Sequence, residues 1–267
     1  MNKVDMYLDI LADLGFRPER TSAGNVVFKA EGLTYCLYAN ESDPVYFQLV
    51  CPNFWAIETA EELQRALYCA SEISRDTKVA KAYINPEETR VSAAVEMFVA
   101  ELDHLRPIFT RTLSALGWAI SEFRQHMHAR EERAQQEEHT AMIRRWLQRA
   151  IGQGIMAEAG AIFAADYVER GALAVLAPTR GPEHAQAIAA AIHAAFADLR
   201  ILVASQVVEN DQIVTRWTLT GLHRAPLMDL LPSGQLVTCN AVRIDRVREG
   251  RVAESWTMIE RPMPVDR

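Results

Sequence analysis

The sequence predicts two α+β domains, and three observations support this prediction. The chain has 267 residues, and 49% of them are hydrophobic, which is enough for two hydrophobic cores. Between residues 196 and 260 the hydrophobic residues alternate with a period of two. Turn signals such as Glu209–Asp211 close each run, as in a meander of antiparallel strands. Residues 126–138 are polar, without glycine or proline, and we interpret them as a solvent-exposed helical linker between this half and an earlier set of helical and alternating segments.

Composition excludes several classes of function. The net charge is −7 and neither half carries a basic excess, so the sequence predicts no nucleic-acid partner. No apolar run approaches the roughly 18 residues that span a bilayer. The first residues also lack the basic and apolar regions of a signal peptide. We therefore expect a cytoplasmic protein without a membrane segment.

The four cysteines show no metal-ligand spacing, and three of them lie inside apolar runs. They are Cys36, Cys51, Cys69 and Cys239. We interpret them as small buried hydrophobic residues in a reducing compartment, and we predict no metal site. The sequence leaves open a disulfide between Cys36 and Cys51, which fall on neighbouring predicted strands.

The first half alternates helical and strand patterns in the order α-β-β-β-α-β-β-α. An apolar stripe between Val4 and Leu14 predicts the first helix. Thr59 with Glu62 three residues later predicts the start of the second helix. The predicted helices are 2–15, 59–74 and about 101–125, and the predicted strands are 24–30, 33–39, 45–52, 78–84 and 89–98.

This order of elements resembles the YbjN family, whose fold is that of type III secretion chaperones. The resemblance covers about residues 1–127 and rests on element order and pattern, without a catalytic motif. It implies a dimerising or peptide-binding scaffold, which we assign to residues 1–131. We therefore expect a protein or peptide partner for this domain and a homodimeric assembly.

The second domain, residues 132–267, opens with helices and continues with the strand meander. Gly152 and Gly154 end its first predicted helix, and Gly181 precedes the third. The predicted helices are about 138–152, 156–165 and 183–196, and the predicted strands are about 199–209, 212–222, 235–247 and 251–260.

The landmarks of this second half resemble those of the SnoaL-like polyketide cyclase (ester cyclase) family, over about residues 137–267. They are Phe196–Asp198, where the family has Phe-Pro-Asp, Gly221–His223, where it has Gly-Thr-His, and Trp256 followed four residues later by Glu260. The resemblance implies a cone of the nuclear-transport-factor-2 type, with a curved antiparallel sheet and three helices. It also implies a pocket inside this cone for a small, flat, apolar or polyketide-like ligand, and chemistry without a metal or cofactor.

Glu260 is the first candidate for a catalytic residue. In the family, an acidic residue four positions after a tryptophan is proposed to move a proton during an intramolecular aldol ring closure. A base within hydrogen-bond reach suits this step, because two flanking carbonyls already acidify the carbon. The family has Asp where this chain has Glu, and a displacement of about 1 Å can lower a rate about a hundredfold. The alternative is a Glu at a strand end that pairs with Arg261 or faces solvent.

Strand alternation places Glu254, Trp256, Met258 and Glu260 on one face. If Glu260 faces the pocket, Trp256 and Met258 line it as well. Trp256 can then stack on a flat ligand. The alternative for Trp256 is a core tryptophan packed under the helices.

Four more residues complete the candidate site. His223 can polarise a carbonyl or relay a proton if a carboxylate lies near; alternatively, it bonds to loop backbone at a strand end. Trp217, Tyr167 and Asn240 are candidate ligand contacts. Trp217 lines the pocket only if its face of the strand does, and Tyr167 either reaches the cavity mouth with its hydroxyl or packs in the core.

Two functions from different classes follow. The first is a SnoaL-like protein that binds a small ligand and performs cofactor-free cyclase or isomerase chemistry. The second is a non-catalytic adaptor or dimerising scaffold, which uses the first domain to bind a protein partner while the pocket of the second domain is filled.

Overall fold

The computed structural model describes residues 2–40, 42–99, 101, 104–177 and 179–265. The chain forms two compact units, Met1–Glu132 and Arg133–Arg267. Each unit combines helices with one six-stranded sheet that is mostly antiparallel. The predicted mixture of helices and antiparallel sheets is therefore correct for both halves.

The sheet of the first unit has the strand order β1-β2-β3-β4-β6-β5, and all its pairs are antiparallel. Its elements are α1 (Lys3–Asp13), β1 (Glu19–Arg20), β2 (Val26–Ala30), β3 (Leu33–Leu37), β4 (Tyr46–Ala56), α2 (Ala60–Asp76), β5 (Ala80–Ile84) and β6 (Arg90–Phe98). The Thr59 side chain caps α2 by accepting from the Glu62 backbone N–H at 3.1 Å, as its sequence signature predicts. The prediction had five strands; β1 was missed because two residues cannot show alternation.

The register of β3 and β4 rules out the disulfide that the sequence left open. Cys36 lies directly opposite Val50, so these two side chains share one face of the sheet. Cys51 therefore points to the other face and cannot reach Cys36. All four cysteines are free and buried, and burial raises the pKa of the Cys51 thiol to about 11.

The long helix α3 (Leu105–Trp146) replaces three predicted segments, and it continues into a π-helical turn at Leu147–Ile151. The prediction divided this stretch into a helix to 125, a helical linker and a helix from 138. The absence of glycine and proline from residues 126–138 lets one helix run through. Pro107 lies in its first turn, where its missing N–H breaks no helical hydrogen bond. The predicted start near residue 101 lies partly outside the described residues.

The sheet of the second unit has the strand order β7-β11-β10-β9-β8, with β12 paired to β10. After the π-helical turn, its elements are α4 (Ala159–Ile162), β7 (Phe163–Glu169), a 3₁₀ segment (Ala172–Leu176), α5 (Pro182–Ala195), β8 (Phe196–Glu209), β9 (Gln212–His223), β10 (Leu236–Arg248), β11 (Arg251–Ile259) and β12 (Met263–Pro264). Because β7 runs parallel to β11, this sheet is not wholly antiparallel.

The predicted helix 156–165 is wrong over its last residues, since β7 begins at Phe163. Phe163 and Tyr167 are both fully buried in this strand. Periodicity alone does not separate a short buried strand from a buried helical segment. Pairing with β11, which is distant in sequence, decides the outcome.

Each of the strands β8 to β11 has one face in the core and one face toward solvent. The core face carries Ile213, Trp217 and Leu219 of β9, in one buried cluster with helix residues such as Ile188 and Ile192. The outer face carries the intervening residues. In β11, Ser255 and Thr257 are buried while Trp256 and Met258 lie on the outer face, as the alternation predicts. No helix in the described part of the chain is long and apolar enough to cross a membrane.

Candidate functional site

Glu260 lies on the outer face, immediately after β11. Its side chain is the last of three polar side chains that are linked by hydrogen bonds. The Asn240 side-chain amide donates to Glu260 Oε2 at 2.9 Å, and Thr218 Oγ1 donates to Asn240 Oδ1 at 3.0 Å. The Glu260 backbone N–H donates to the Asn240 carbonyl at 2.9 Å. Thr218 therefore orients the Asn240 amide, and Asn240 holds the Glu260 carboxylate. Arg261 pairs instead with Asp229, at 3.5 Å.

These residues border an open groove of about 480 Å³ on the outer face. This groove differs from the expected pocket inside the cone, because the opposite face of the sheet packs against the helices in one buried cluster. Two cross-strand rows form its floor. In one row Val242 lies between Arg216 and Met258, and in the other Asn240 lies between Thr218 and Glu260. The groove is lined by Arg216, Thr218, Asn240, Ala241, Val242, Met258, Ile259 and Glu260. It thus places one carboxylate and one guanidinium on an otherwise apolar and amide surface.

Trp256 is half-buried on the same outer face but borders a different groove, of about 490 Å³. Gly171, Gln212 and Ile244 are among the other residues of that groove. Met258, 60% exposed, borders both grooves. The structure therefore brings Glu260, Asn240 and Met258 together and places Trp256 one row farther along the sheet.

The core face of the same strands holds a buried ion pair. Arg243 Nε donates to Asp245 Oδ1 at 2.7 Å, and both side chains are almost completely buried. Ser255 Oγ lies 2.7 Å from Arg243 Nη2 and donates to Asp245 Oδ1 at 2.5 Å. Although burial opposes the charge, the Asp245 carboxylate holds the pKa of Arg243 above its usual value.

Tyr167 and Glu169 of β7 extend this buried network. The Tyr167 hydroxyl lies 3.4 Å from Arg243 Nη2 and 3.5 Å from Glu169 Oε2. Glu169 Oε1 also accepts from the backbone N–H groups of Thr257 and Gly171, at 2.8 and 2.9 Å. Burial raises the pKa of Tyr167 to about 12. Tyr167 is therefore a packed, neutral residue of the interior and does not lie at a cavity mouth.

Two more candidate residues are buried away from the groove. Trp217 is fully buried on the core face of β9, opposite Ala241. His223 is buried at the end of β9, where its ring stacks on Phe196 with centroids 5.2 Å apart. Its Nδ1 accepts from the Ser233 backbone N–H at 3.4 Å. Neither ring borders the groove that contains Glu260.

Of the residues in this buried network, the sequence analysis named Tyr167 alone. Arg243 and Asp245 nevertheless share a signal in the sequence of β10. Strand alternation puts Val237, Cys239 and Ala241 on one face, and Arg243 and Asp245 continue the same parity. Two opposite charges on the apolar side of a strand indicate a buried ion pair. No sequence signal of this kind exists for Glu169, because the parallel pairing of β7 is not visible in the sequence.

No group of three or more His, Cys, Asp or Glu side chains with metal-binding geometry occurs among the residues that the structure describes.

Comparison with known families identifies the second unit. Residues 141–262, slightly less than half of the chain, match the family model described as SnoaL-like polyketide cyclase. The chain therefore contains a SnoaL-like polyketide cyclase domain over these residues. The predicted resemblance of residues 1–127 to the YbjN family stays a prediction.

Two solved structures illustrate the similarity of this domain. TsrD from Streptomyces laurentii is 20% identical, with 48% of this chain and 90% of that chain covered and a TM-score of 0.41. A SnoaL-like polyketide cyclase from Agrobacterium tumefaciens is 15% identical, with 46% and 91% covered and a TM-score of 0.39. None of the curated proteins matches the chain. These comparisons give no support to the adaptor alternative.

Proposed function

We propose that the SnoaL-like domain binds a small, flat, apolar or polyketide-like ligand in the Glu260 groove and performs cofactor-free acid/base chemistry on it. The reaction class is an intramolecular aldol cyclisation or a related isomerisation, in which a proton leaves a carbon between two carbonyls. The observation that carries the proposal is the hydrogen-bonded chain from Thr218 through Asn240 to Glu260 at the wall of an open groove.

Glu260 is the general base of this proposal. A carboxylate that removes a proton must be held in one orientation within hydrogen-bond reach of the carbon. The Asn240 amide supplies this constraint on one oxygen of Glu260. The longer side chain of Glu, compared with the Asp of the family, is thereby kept from sampling many rotamers.

Arg216 is the electrostatic partner in the proposed reaction. Its row of the sheet is adjacent to that of Glu260, and both residues line the groove. Proton removal leaves negative charge on a carbonyl oxygen, and a guanidinium placed beforehand stabilises this charge. Val242 and Met258 offer an apolar floor on which the carbon skeleton of the ligand can lie.

The other predicted site residues take different places in this proposal. A longer ligand that extends past Met258 reaches Trp256, whose ring can stack on it. His223, Trp217 and Tyr167 are buried away from the groove, so they support the strands that carry it rather than touching the ligand.

Hydrogen–deuterium exchange at the carbon between the carbonyls of a β-dicarbonyl compound tests proton removal directly. The full chain is incubated with a series of such compounds in deuterated buffer, and exchange is followed by NMR. We expect Glu260→Gln to lower the catalysed exchange rate by about 10²–10⁴-fold, the usual contribution of a general base.

Glu249→Gln is the matched control, because Glu249 is an exposed carboxylate in the β10–β11 turn of the same sheet. It is expected to keep the wild-type exchange rate. Full exchange by Glu260→Gln with a compound that the wild-type chain exchanges would eliminate Glu260 as the base.

We also propose the division into a YbjN-like scaffold, residues 1–131, and the ligand-binding domain, residues 132–267, in a cytoplasmic homodimer. The two compact units support the division. Partner binding by the scaffold domain has no specific observation among the described residues in its favour.

A further inference from the structure

The first unit has a groove of its own, between the turn that follows α1 and the β2–β3 hairpin. Its volume is about 450 Å³, which is in the range of small-molecule sites. Two phenylalanines, Phe16 and Phe28, and three charged residues, Arg17, Glu19 and Lys29, are among its lining residues. We call it the Phe16 groove, and the function proposed for the second unit does not involve it.

The end of α1 places Phe16 in the groove wall. Gly15 follows the helix with φ +84°, in the left-handed region that favours glycine. The chain therefore turns back, and the Phe16 backbone N–H donates to the Leu11 carbonyl at 2.9 Å. The Phe16 ring then lies against Phe28, with ring centroids 5.1 Å apart.

The aromatic wall is rigid on one side and accessible on the other. Phe28 is 2% exposed, and its ring stacks on Tyr35 with centroids 5.4 Å apart. Phe16 is only half-buried, so part of its ring remains open to the groove. A flat ring can pack on Phe16 in the offset or edge-on geometry that aromatic pairs prefer.

The shortness of β1 leaves backbone groups free beside this wall. β1 lies opposite Val26 and Val27 only, whereas Lys29 is paired on its other side with Thr34 of β3. In a hairpin closed by Ala30 and Leu33, alternate residues of β2 bond to β3. Lys29 is one of the others, so its N–H is directed to the open edge, where it can donate to a ligand oxygen.

The rim of the groove carries one net positive charge. Arg17, Lys29 and Glu19 are exposed there. In the described part of the chain neither Arg17 nor Lys29 forms an ion pair, whereas Arg106 pairs with Asp13. Because the whole chain carries −7, this local excess of cations differs from the rest of the surface. It favours a ligand with a single negative charge.

We propose that the Phe16 groove binds a small, flat aromatic carboxylic acid. The ring of the ligand packs on Phe16, and its carboxylate accepts from the Arg17 guanidinium, the Lys29 ammonium and the Lys29 backbone N–H. Glu19 repels a second negative charge, so the site selects monoanions.

Isothermal titration calorimetry of the full chain with 2-naphthoate tests this site. We expect one molecule bound per chain. Arg17→Gln should raise the Kd about tenfold or more, because it removes a hydrogen bond to a charged group. Phe16→Ala should raise it as well, and circular dichroism verifies that this half-buried substitution leaves the chain folded. Since Arg17 is exposed, its variant keeps the test decisive if Phe16→Ala does not fold.

Two related compounds test the chemistry of recognition. 2-Naphthamide has the same ring without the charge, and naphthalene-2,6-dicarboxylate has a second charge. Both should bind about tenfold more weakly than 2-naphthoate. Equal binding of the amide would show that the rim does not recognise the carboxylate, which contradicts the proposal.

Arg111→Gln is the matched control, because Arg111 is an exposed arginine of the same unit outside the groove lining. It should bind 2-naphthoate like the wild type. No binding to the wild type up to the solubility limit, or an unchanged Kd in Arg17→Gln, would overturn the proposal. Arg216→Met separates the two grooves: if it alone loses binding, the compound occupies the Glu260 groove and the Phe16 groove is not the site.

Discussion

The two faces of the second sheet use charge in opposite ways. On the core face, Arg243 and Asp245 are buried and pair at 2.7 Å. On the outer face of the same sheet, Arg216 of β9 and Glu260, which follows β11, border an open groove, and the Asn240 amide donates to Glu260. The two faces of one sheet thus place their charged side chains in different surroundings.

This difference is a difference of solvation. A buried charge must be matched within its own network, because removing one partner leaves the other desolvated. An exposed charge is stabilised by water and remains free to act on a ligand. We therefore expect substitutions on the core face to change stability and substitutions on the outer face to change binding and turnover.

The largest expected effect is the loss of the buried ion pair. Arg243→Met leaves the Asp245 carboxylate buried without its cation, and it should lower the free energy of unfolding by about 3–5 kcal/mol. Urea unfolding followed by tryptophan fluorescence measures this loss.

Arg216→Met is the control on the outer face, and its effect on stability should stay within about 0.5 kcal/mol. A double variant, Arg243→Met with Asp245→Leu, should recover a large part of the loss, because it removes both charges. Equal destabilisation by Arg243→Met and Arg216→Met would break the comparison between the faces.

A smaller loss of stability is expected from Gly171→Ala, just after β7. A Cβ atom there would lie 2.2 Å from the Thr257 backbone N and 2.3 Å from its O, so the buried network around Glu169 would have to move. Overpacking of this kind costs about 1–3 kcal/mol. Thermal unfolding should show a lower Tm for this variant, and Gly160→Ala, where the new Cβ meets open space, should not.

The smallest expected effect is the contribution of His184 to the pH dependence of the free energy of unfolding. Burial lowers its pKa below the ordinary value of 6.5, although Glu169 acts in the opposite direction. The unfolded chain therefore takes up a proton at a higher pH than the folded one. This contribution to stability is complete above pH 6.5 and is lost progressively as the pH falls toward the pKa of the folded state.

Urea unfolding of the wild type and of His184→Gln, at pH values on both sides of 6.5, isolates this contribution. The variant should lose less stability on acidification than the wild type. Identical pH profiles would mean that other groups of the core face dominate the acid response.

Local patterns predicted most of the elements. The four strands β8 to β11 were predicted to within a few residues, because each shows alternation and is closed by turn signals. The helix α5 was predicted as well, since Gly181 and Pro182 mark its start. One error depends on distant pairing: the predicted helix 156–165 included the first residues of β7, which pairs with β11. The other is local: the predicted helical linker and the predicted helices on either side of it form one continuous helix, α3.

The sequence predicted which residues of β11 share a face, but not which residues of other strands lie beside them. Alternation correctly grouped Trp256, Met258 and Glu260 on one face, and the structure places that face outward. The predicted helpers His223, Tyr167 and Trp217 are buried, and they are not brought to Glu260. Asn240 does lie beside Glu260, because the β10–β11 register places them together, and the β9–β10 register sets Asn240 opposite Thr218.

By itself, the sequence determined the two α+β halves, the alternating faces and the landmarks of a SnoaL-like domain. These features depend on residues that are close in the chain, where periodicity and turn chemistry act. Only the tertiary structure decided which face of the sheet is buried, which charges pair there, and which side chains meet at a groove. A period of two is symmetric between the two faces, and the packing of helices against one of them removes that symmetry.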